Sequence, residues 1–173
     1  MDNKPVSKKY FSVICALVTL AVAVASCGGK QATTPSTDSN YGVRSAVTDA
    51  LSRDAQLRAG EQAMIQSVKA GQTQMNPGLD SLVDNNKSLM ALIKSVSAPS
   101  RPPSAYLARA RDLMTEYLRN RVHQLEASLV ATTPQDLETM YARGAHEADA
   151  ERAQVTALLL KYDPGLKSVI PQQ

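Results

Sequence analysis

The chain has 173 residues, 43% of them apolar and 20% charged, with a formal net charge of +3. That make-up fits one globular domain plus an appendage. Without residues 1–26 the balance is 16 Lys+Arg against 15 Asp+Glu, so nucleic-acid binding has no electrostatic support. The appendage is N-terminal: "MDNKPVSKKY" carries Lys4, Lys8 and Lys9 against Asp2, and "FSVICALVTLAVAV" (11–24) follows without a charge. A basic start and a 14-residue apolar run are the build of an export signal. The run also falls short of the ~20 residues that a membrane-spanning helix needs.

The end of this run matters most. "AVA" (21–23) and "VAS" (24–26) each offer the small residues of an ordinary secretory cleavage site. Val24-Ala25-Ser26-Cys27, an aliphatic residue and two small ones before a cysteine, resembles the lipobox of bacterial lipoprotein precursors. The resemblance covers the first 30 or so residues. It implies cleavage between Ser26 and Cys27, then acylation of Cys27 with two or three chains of the palmitate class. At ~0.8 kcal/mol per buried CH₂ such an anchor is effectively permanent. The other cysteine, Cys15, lies in the apolar run and leaves with the signal, so no intramolecular disulfide is expected. In two-membrane bacteria an aspartate after the lipidated cysteine favours the inner membrane. Gly28 stands there, so the resemblance implies the outer membrane, with the periplasmic face as default.

Residues 28–40, "GGKQATTPSTDSN", lack apolar periodicity and read as a flexible tether. Flexible-chain statistics give such a tether a reach of roughly 20 Å. From Tyr41 the periodicity is helical. A first helix is predicted over 43–70, with Val43, Val47, Ala50, Leu51, Leu57, Met64, Ile65 and Val68 near one stripe, Gly60 weakening it and Gly71 ending it. A second is predicted over 78–97, with Leu79, Leu82, Val83, Asn86, Leu89, Met90, Ile93 and Val96. "APSRPPS" (98–104) breaks the pattern. A third runs over 104–131 with a wide apolar face, including Tyr106, Leu107, Ala110, Leu113, Met114, Tyr117, Leu118, Val122, Leu125 and Leu129. In "TTPQD", Thr133 suits a cap, Pro134 the first helical position and Asp136 the first turn of a fourth helix. That helix carries Leu137 to Tyr162 before "DPG" (163–165).

Nothing alternates with period two for long enough to make a strand, and no repeat at a solenoid period is evident. The expected fold is all-α: residues 1–26 a cleaved signal peptide, 27–40 the lipidated cysteine and flexible tether, and 41–173 an antiparallel four-helix bundle, up-down-up-down. Beyond residue 26 the chain has neither Phe nor Trp, so its core is expected to rely on Leu, Val, Ile, Met, Ala and Tyr.

Chemistry is sparse. Haem attachment needs Cys-x-x-Cys-His, and only Cys27 remains beyond the signal. A di-iron site needs Glu-x-x-His on two helices, but Asn120 precedes His123 and Arg143 precedes His146 at that spacing. "HEADAE" (146–151) lacks the second histidine of a zinc-protease helix. His146 with Asp149 or Glu151, and His123 with Glu126, read as solvated faces rather than metal sites. No serine-hydrolase elbow or phosphate-cradling glycine loop is present, so no catalytic residue, cofactor or metal is expected. Arg101, Arg109, Arg111, Arg119 and Arg121 make the third helix basic, and Asp136, Glu138, Glu147, Asp149 and Glu151 make the fourth acidic. The pattern reads as pairing between these helices and along them.

The expectation is therefore a lipid-anchored, non-catalytic helical envelope protein that docks to another envelope component, either an assembly subunit or an inhibitor or exclusion protein. Its expected partners are membrane lipid through acylated Cys27 and an envelope protein, with a homo-oligomer possible and no nucleic acid. The competing expectation is a periplasmic small-molecule or metal-binding helical lipoprotein with a pocket lined by Met114, Tyr117, Met140 and Tyr141. Methionine and tyrosine at helical spacing more often fill a core.

Overall fold

The computed structural model describes residues 39–99 and 104–171. The expected export signal, Ser26, Cys27 and the tether through residue 38 lie outside the described residues, as does Arg101. The described chain is all-α, with four helices and no strand: α1 (Ser39–Lys69), α2 (Met75–Ser97), α3 (Ala105–Ser128) and α4 (Pro134–Tyr162). A short 3-10 turn, Pro164–Ser168, comes after α4. Among the described residues no helix is long and apolar enough to cross a membrane.

The helices are held together by stripes that recur every seven residues, the spacing that keeps one face turned to a neighbouring helix. On α2 the stripe is Leu82, Leu89 and Val96; on α4 it is Tyr141, Ala148 and Val155. On α3 it is Leu107, Met114, Arg121 and Ser128, and on α1 it is Val47, Asp54, Glu61 and Val68. All of these residues are buried, including the charged ones. α3 packs on α4 and α2, while α1 lies against α2 and α4 and reaches α3 across the core, giving a bundle-like arrangement.

Local signals set the helix ends. α1 stops in a Schellman motif: Gly71 has φ +71°, its N–H donates to Val68 O at 3.0 Å, and Gln72 N–H donates to Ser67 O at 2.9 Å. α1 starts earlier than the expected residue 43 and takes in Ser39 and Asn40. Gly60 does not interrupt it, because α1 is held by its tertiary contacts and the glycine faces open space. α2 begins at Met75 rather than 78, since Pro77 lies in a first turn whose N–H groups have no intrahelical partner to lose. Gly78 lets that turn approach α1 closely: a Cβ there would meet Val68 Cγ2 at 2.7 Å. α3 ends at Ser128, short of the expected residue 131. α4 opens as its sequence predicts, with Thr133 Oγ1 accepting from Asp136 N–H at 3.1 Å and Pro134 in the first turn.

Ion pairs near both ends of α1 join it to the α4 region. Arg44 Nη1 donates to Asp163 Oδ2 at 2.7 Å, and Lys69 Nζ pairs with Glu138 at 2.8 Å. Tyr106 of α3 stacks on Tyr162 of α4 with ring centroids 4.7 Å apart.

Candidate functional site

The most unusual feature of the interior is its charge. Asp54 and Glu61 occupy two successive positions of the α1 stripe and are both 0% exposed. A buried carboxylate carries several kcal/mol of desolvation cost unless cations and hydrogen-bond donors offset it. Arg121 of α3, also 0% exposed, serves both. Its Nη2 donates to Glu61 Oε2 at 2.6 Å, its Nε to Asp54 Oδ1 at 3.3 Å, and its Nη1 to Gln124 Oε1 at 2.7 Å. Gln124 Nε2 donates onward to the Tyr141 backbone oxygen at 2.8 Å, which ties the cluster to α4.

Two phenols add donors, while Glu61 Oε1 stays buried without a hydrogen-bond partner among the described residues. Tyr117 donates its hydroxyl proton to Asp54 Oδ2, and Tyr141 donates to Glu61 Oε2 at 2.6 Å. Burial first, and then the adjacent carboxylate, push both tyrosines well above the ordinary phenol range: Asp54 acts on Tyr117 and Glu61 on Tyr141. Burial works against the charge of Arg121, but Glu61 and then Asp54 outweigh it and hold the guanidinium above its usual value. Each of these donors keeps its proton at neutral pH. The carboxylates therefore sit in a fixed cage of donors that links α1, α3 and α4.

A second pair of arginines lies where the cluster meets the surface. Arg152 of α4 is 3% exposed, and its Nε is 3.9 Å from Asp54 Oδ2. Its Nη2 reaches Pro171 O at 3.5 Å, the limit of a hydrogen bond. Arg58 of α1 pairs closely with Asp149 of α4. Burial pulls the Arg58 guanidinium down, but the Tyr117 oxygen and the Asp149 carboxylate more than compensate and leave it above the ordinary arginine range. Arg58, Asp149, Arg152 and Pro171 line an open crevice of about 450 Å³ between α1 and α4.

Several expected groupings fall apart in the structure. Arg121 is not a surface arginine pairing along its own helix or with the acidic residues of α4; it is the buried hub for two carboxylates of α1, whose charge outcompetes any exposed partner. The acids of α4 are used differently: Asp149 and Glu138 pair with Arg58 and Lys69 of α1, Glu151 accepts from Asn120 at 2.6 Å, and Asp136 sits at the helix cap. Arg111 pairs with its neighbour Asp112, while Arg109 and Arg119 are exposed. Met114, Tyr117, Met140 and Tyr141 line no common pocket: Met114 and Tyr117 are in the core, Tyr141 joins the network, and Met140 is exposed in a groove between α3 and α4. His123 is 76% exposed and lies 3.3 Å from Glu126, while His146 is exposed near Asp149 in a groove between α1 and α4. Among the described residues no three His, Cys, Asp or Glu side chains are grouped as a metal ion would need.

Asp54 and Glu61 carried a readable signal. Val47 and Val68 flank them at spacings of seven, and Leu107 and Met114 lead to Arg121 in the same way. Charges that fall in phase with an apolar stripe on two helices point to an interior ion pair. The chain matches no protein-family model, no curated protein and no solved structure.

Proposed function

We propose that this chain is a lipid-anchored, non-catalytic helical lipoprotein of the bacterial envelope that works by docking to another envelope component. The observation that carries the reading is the order of its first segments. A basic start and an apolar run end in Val24-Ala25-Ser26-Cys27, and a stretch rich in Gly, Ser and Thr then leads to a helical unit beginning at Ser39. Acylated Cys27 would hold the unit at the outer membrane, facing the periplasm. An up-down-up-down antiparallel bundle suits this role; short connections favour it, as do the Arg44–Asp163 and Lys69–Glu138 pairs between α1 and the α4 region. The buried charge cage favours a scaffold role, because it ties three helices into one register rather than presenting groups to a substrate.

The test is in-cell cross-linking of the full chain followed by mass spectrometry, with Cys27→Ala as the unanchored control and labelled palmitate to follow acylation. Label on the wild type alone, together with one protein captured repeatedly and lost in the control, is the expected result. A control that fractionates with membranes like the wild type would overturn the anchor, and self-links alone would overturn the docking partner. A second reading, a ligand-binding helical lipoprotein, draws on one observation: the crevice beside Arg58 and Arg152.

A further inference from the structure

We propose that the crevice between α1 and α4 is a binding site for a small soluble ligand bearing a carboxylate or phosphate, held by Arg58 and Arg152. The proposal deepens the ligand-binding reading and does not depend on lipid anchoring.

The first argument is an unsatisfied cation. A guanidinium offers five N–H donors. Arg152 is 3% exposed, yet among the described residues its one hydrogen bond is the 3.5 Å contact with Pro171 O. Its Nε is buried with no hydrogen-bond acceptor, and the nearest carboxylate, Asp54, is 3.9 Å away. Asp54 is already occupied by Arg121 and Tyr117. Nε is shut off from solvent, but the outer nitrogens have only the long contact to Pro171 O among the described residues, and beside an open crevice that points to an acceptor that comes from outside.

The second argument is a displaceable stand-in. Arg58 shares the crevice wall, and its side chain is only 13% exposed, while its partner Asp149 is 47% exposed. Asp149 thus places an oxyanion at the mouth of the crevice from the solvent side, where it can swing out to water at little cost. An incoming carboxylate or phosphate would take its place on Arg58 and offer further oxygens to the outer nitrogens of Arg152. Two guanidinium forks facing one oxyanion form the bidentate geometry in which arginine excels.

The crevice also fixes the size and class of the ligand. Ala55 and Ala59 keep the wall low, and Gln62 offers an amide to polar substituents. Gln62 and Asp149 also border a neighbouring groove of about 470 Å³ with Ile65, Tyr141 and Ala145 on its floor. Both spaces are within the range that holds small organic molecules. Arg152 is too deep for the head groups of a flat bilayer, so the ligand is soluble and carries its anionic group at one end.

The test uses the full chain in a non-ionic detergent and follows the thermal midpoint during titration with sodium phosphate or sodium acetate, with chloride holding ionic strength constant. Phosphate or acetate is expected to raise the midpoint saturably, with half-saturation on the order of 1 mM, a modest affinity for so few atoms. Asp149→Asn removes the stand-in and is expected to tighten binding roughly two- to fivefold, matching the weak coupling of an exposed ion pair. Arg58→Gln, checked for native helicity, is expected to weaken binding about tenfold or more. No saturable rise in either the wild type or Asp149→Asn would overturn the proposal. So would unchanged binding by Arg58→Gln, or weaker binding by Asp149→Asn.

Discussion

Arg121 Nη2 lies 2.6 Å from Glu61 Oε2, and neither side chain is more than 1% exposed. Removing the cation would leave two carboxylates without the partner that offsets their burial. Arg121→Met is therefore expected to destabilise the fold by about 3–5 kcal/mol. Replacing the whole set with apolar residues (Asp54→Leu, Glu61→Met, Arg121→Met and Arg152→Met together) is expected to recover most of that loss. Urea denaturation followed by circular dichroism measures both. A cost below about 1 kcal/mol for the single variant would mean that water already reaches Glu61.

The two phenols give the cluster a signature at high pH. Tyr117 and Tyr141 are held above the ordinary phenol value, by burial and by the carboxylates they serve. Their contribution is thus fully present below pH ~10, and is lost as the pH rises from there through their higher native values. Stability is expected to fall steeply above pH ~10 in the wild type and less steeply in Tyr117→Phe/Tyr141→Phe. At neutral pH each single Phe variant is expected to cost about 1–3 kcal/mol, because a buried carboxylate loses one of its hydrogen-bond donors. Equal alkaline slopes in the two proteins would remove the tyrosines from the explanation.

At the start of α4 the sign reverses. Hydrogen bonds from Thr133 and then Thr132 hold the Asp136 carboxyl below its usual value. Its contribution is present above the ordinary carboxylate range, near pH ~4, and disappears as the pH falls through the lower native value. Asp136→Asn is expected to lower the melting temperature at neutral pH and to match the wild type near pH 2. Thr133→Ala, which removes the oxygen that accepts from Asp136 N–H, is expected to cost ~1 kcal/mol at neutral pH.

Two glycines inside helices should respond to alanine in opposite directions. Gly60 faces open space, so Gly60→Ala is expected to stabilise α1 by about 0.5–1 kcal/mol. At Gly144 an added Cβ would come within 2.9 Å of Gln124 Cδ and 3.0 Å of its Cβ, forcing the side chain that bonds Arg121 to move. Gly144→Ala is expected to cost about 1–3 kcal/mol by overpacking. If thermal melts showed both variants stabilised, Gln124 would have room to move and would not be a fixed part of the cage.

Much of the helical architecture was legible in the sequence, because apolar residues at helical spacing and the breakers near Gly71, Pro102 and Pro134 mark where helices run and stop. Thr133, Pro134 and Asp136 predicted the start of α4 for a local reason that tertiary packing did not alter. The start of α1 was less visible, since Ser39 and Asn40 have the composition of a tether and gain helical form from the amphipathic stretch that begins at Val43. The charge cage was missed because Asp54, Glu61 and Arg121 belong to residue types that are mostly exposed. Burial became favourable only through partners 60 and 67 residues apart in the chain, a separation that no local window spans. Arg121 was grouped with the arginines beside it in sequence, whereas its position in a seven-residue stripe places it with Met114 and Ser128.

The inner face of α1 also depends on residues that come much later in the chain. Asp54 and Glu61 are made long before Arg121 and Arg152, so α1 emerges with two acidic groups where a neighbouring helix would normally expect grease. Until the later arginines arrive, water is the best partner these carboxylates have. The seating of α1 thus waits on partners that the chain supplies 60 and 67 residues later.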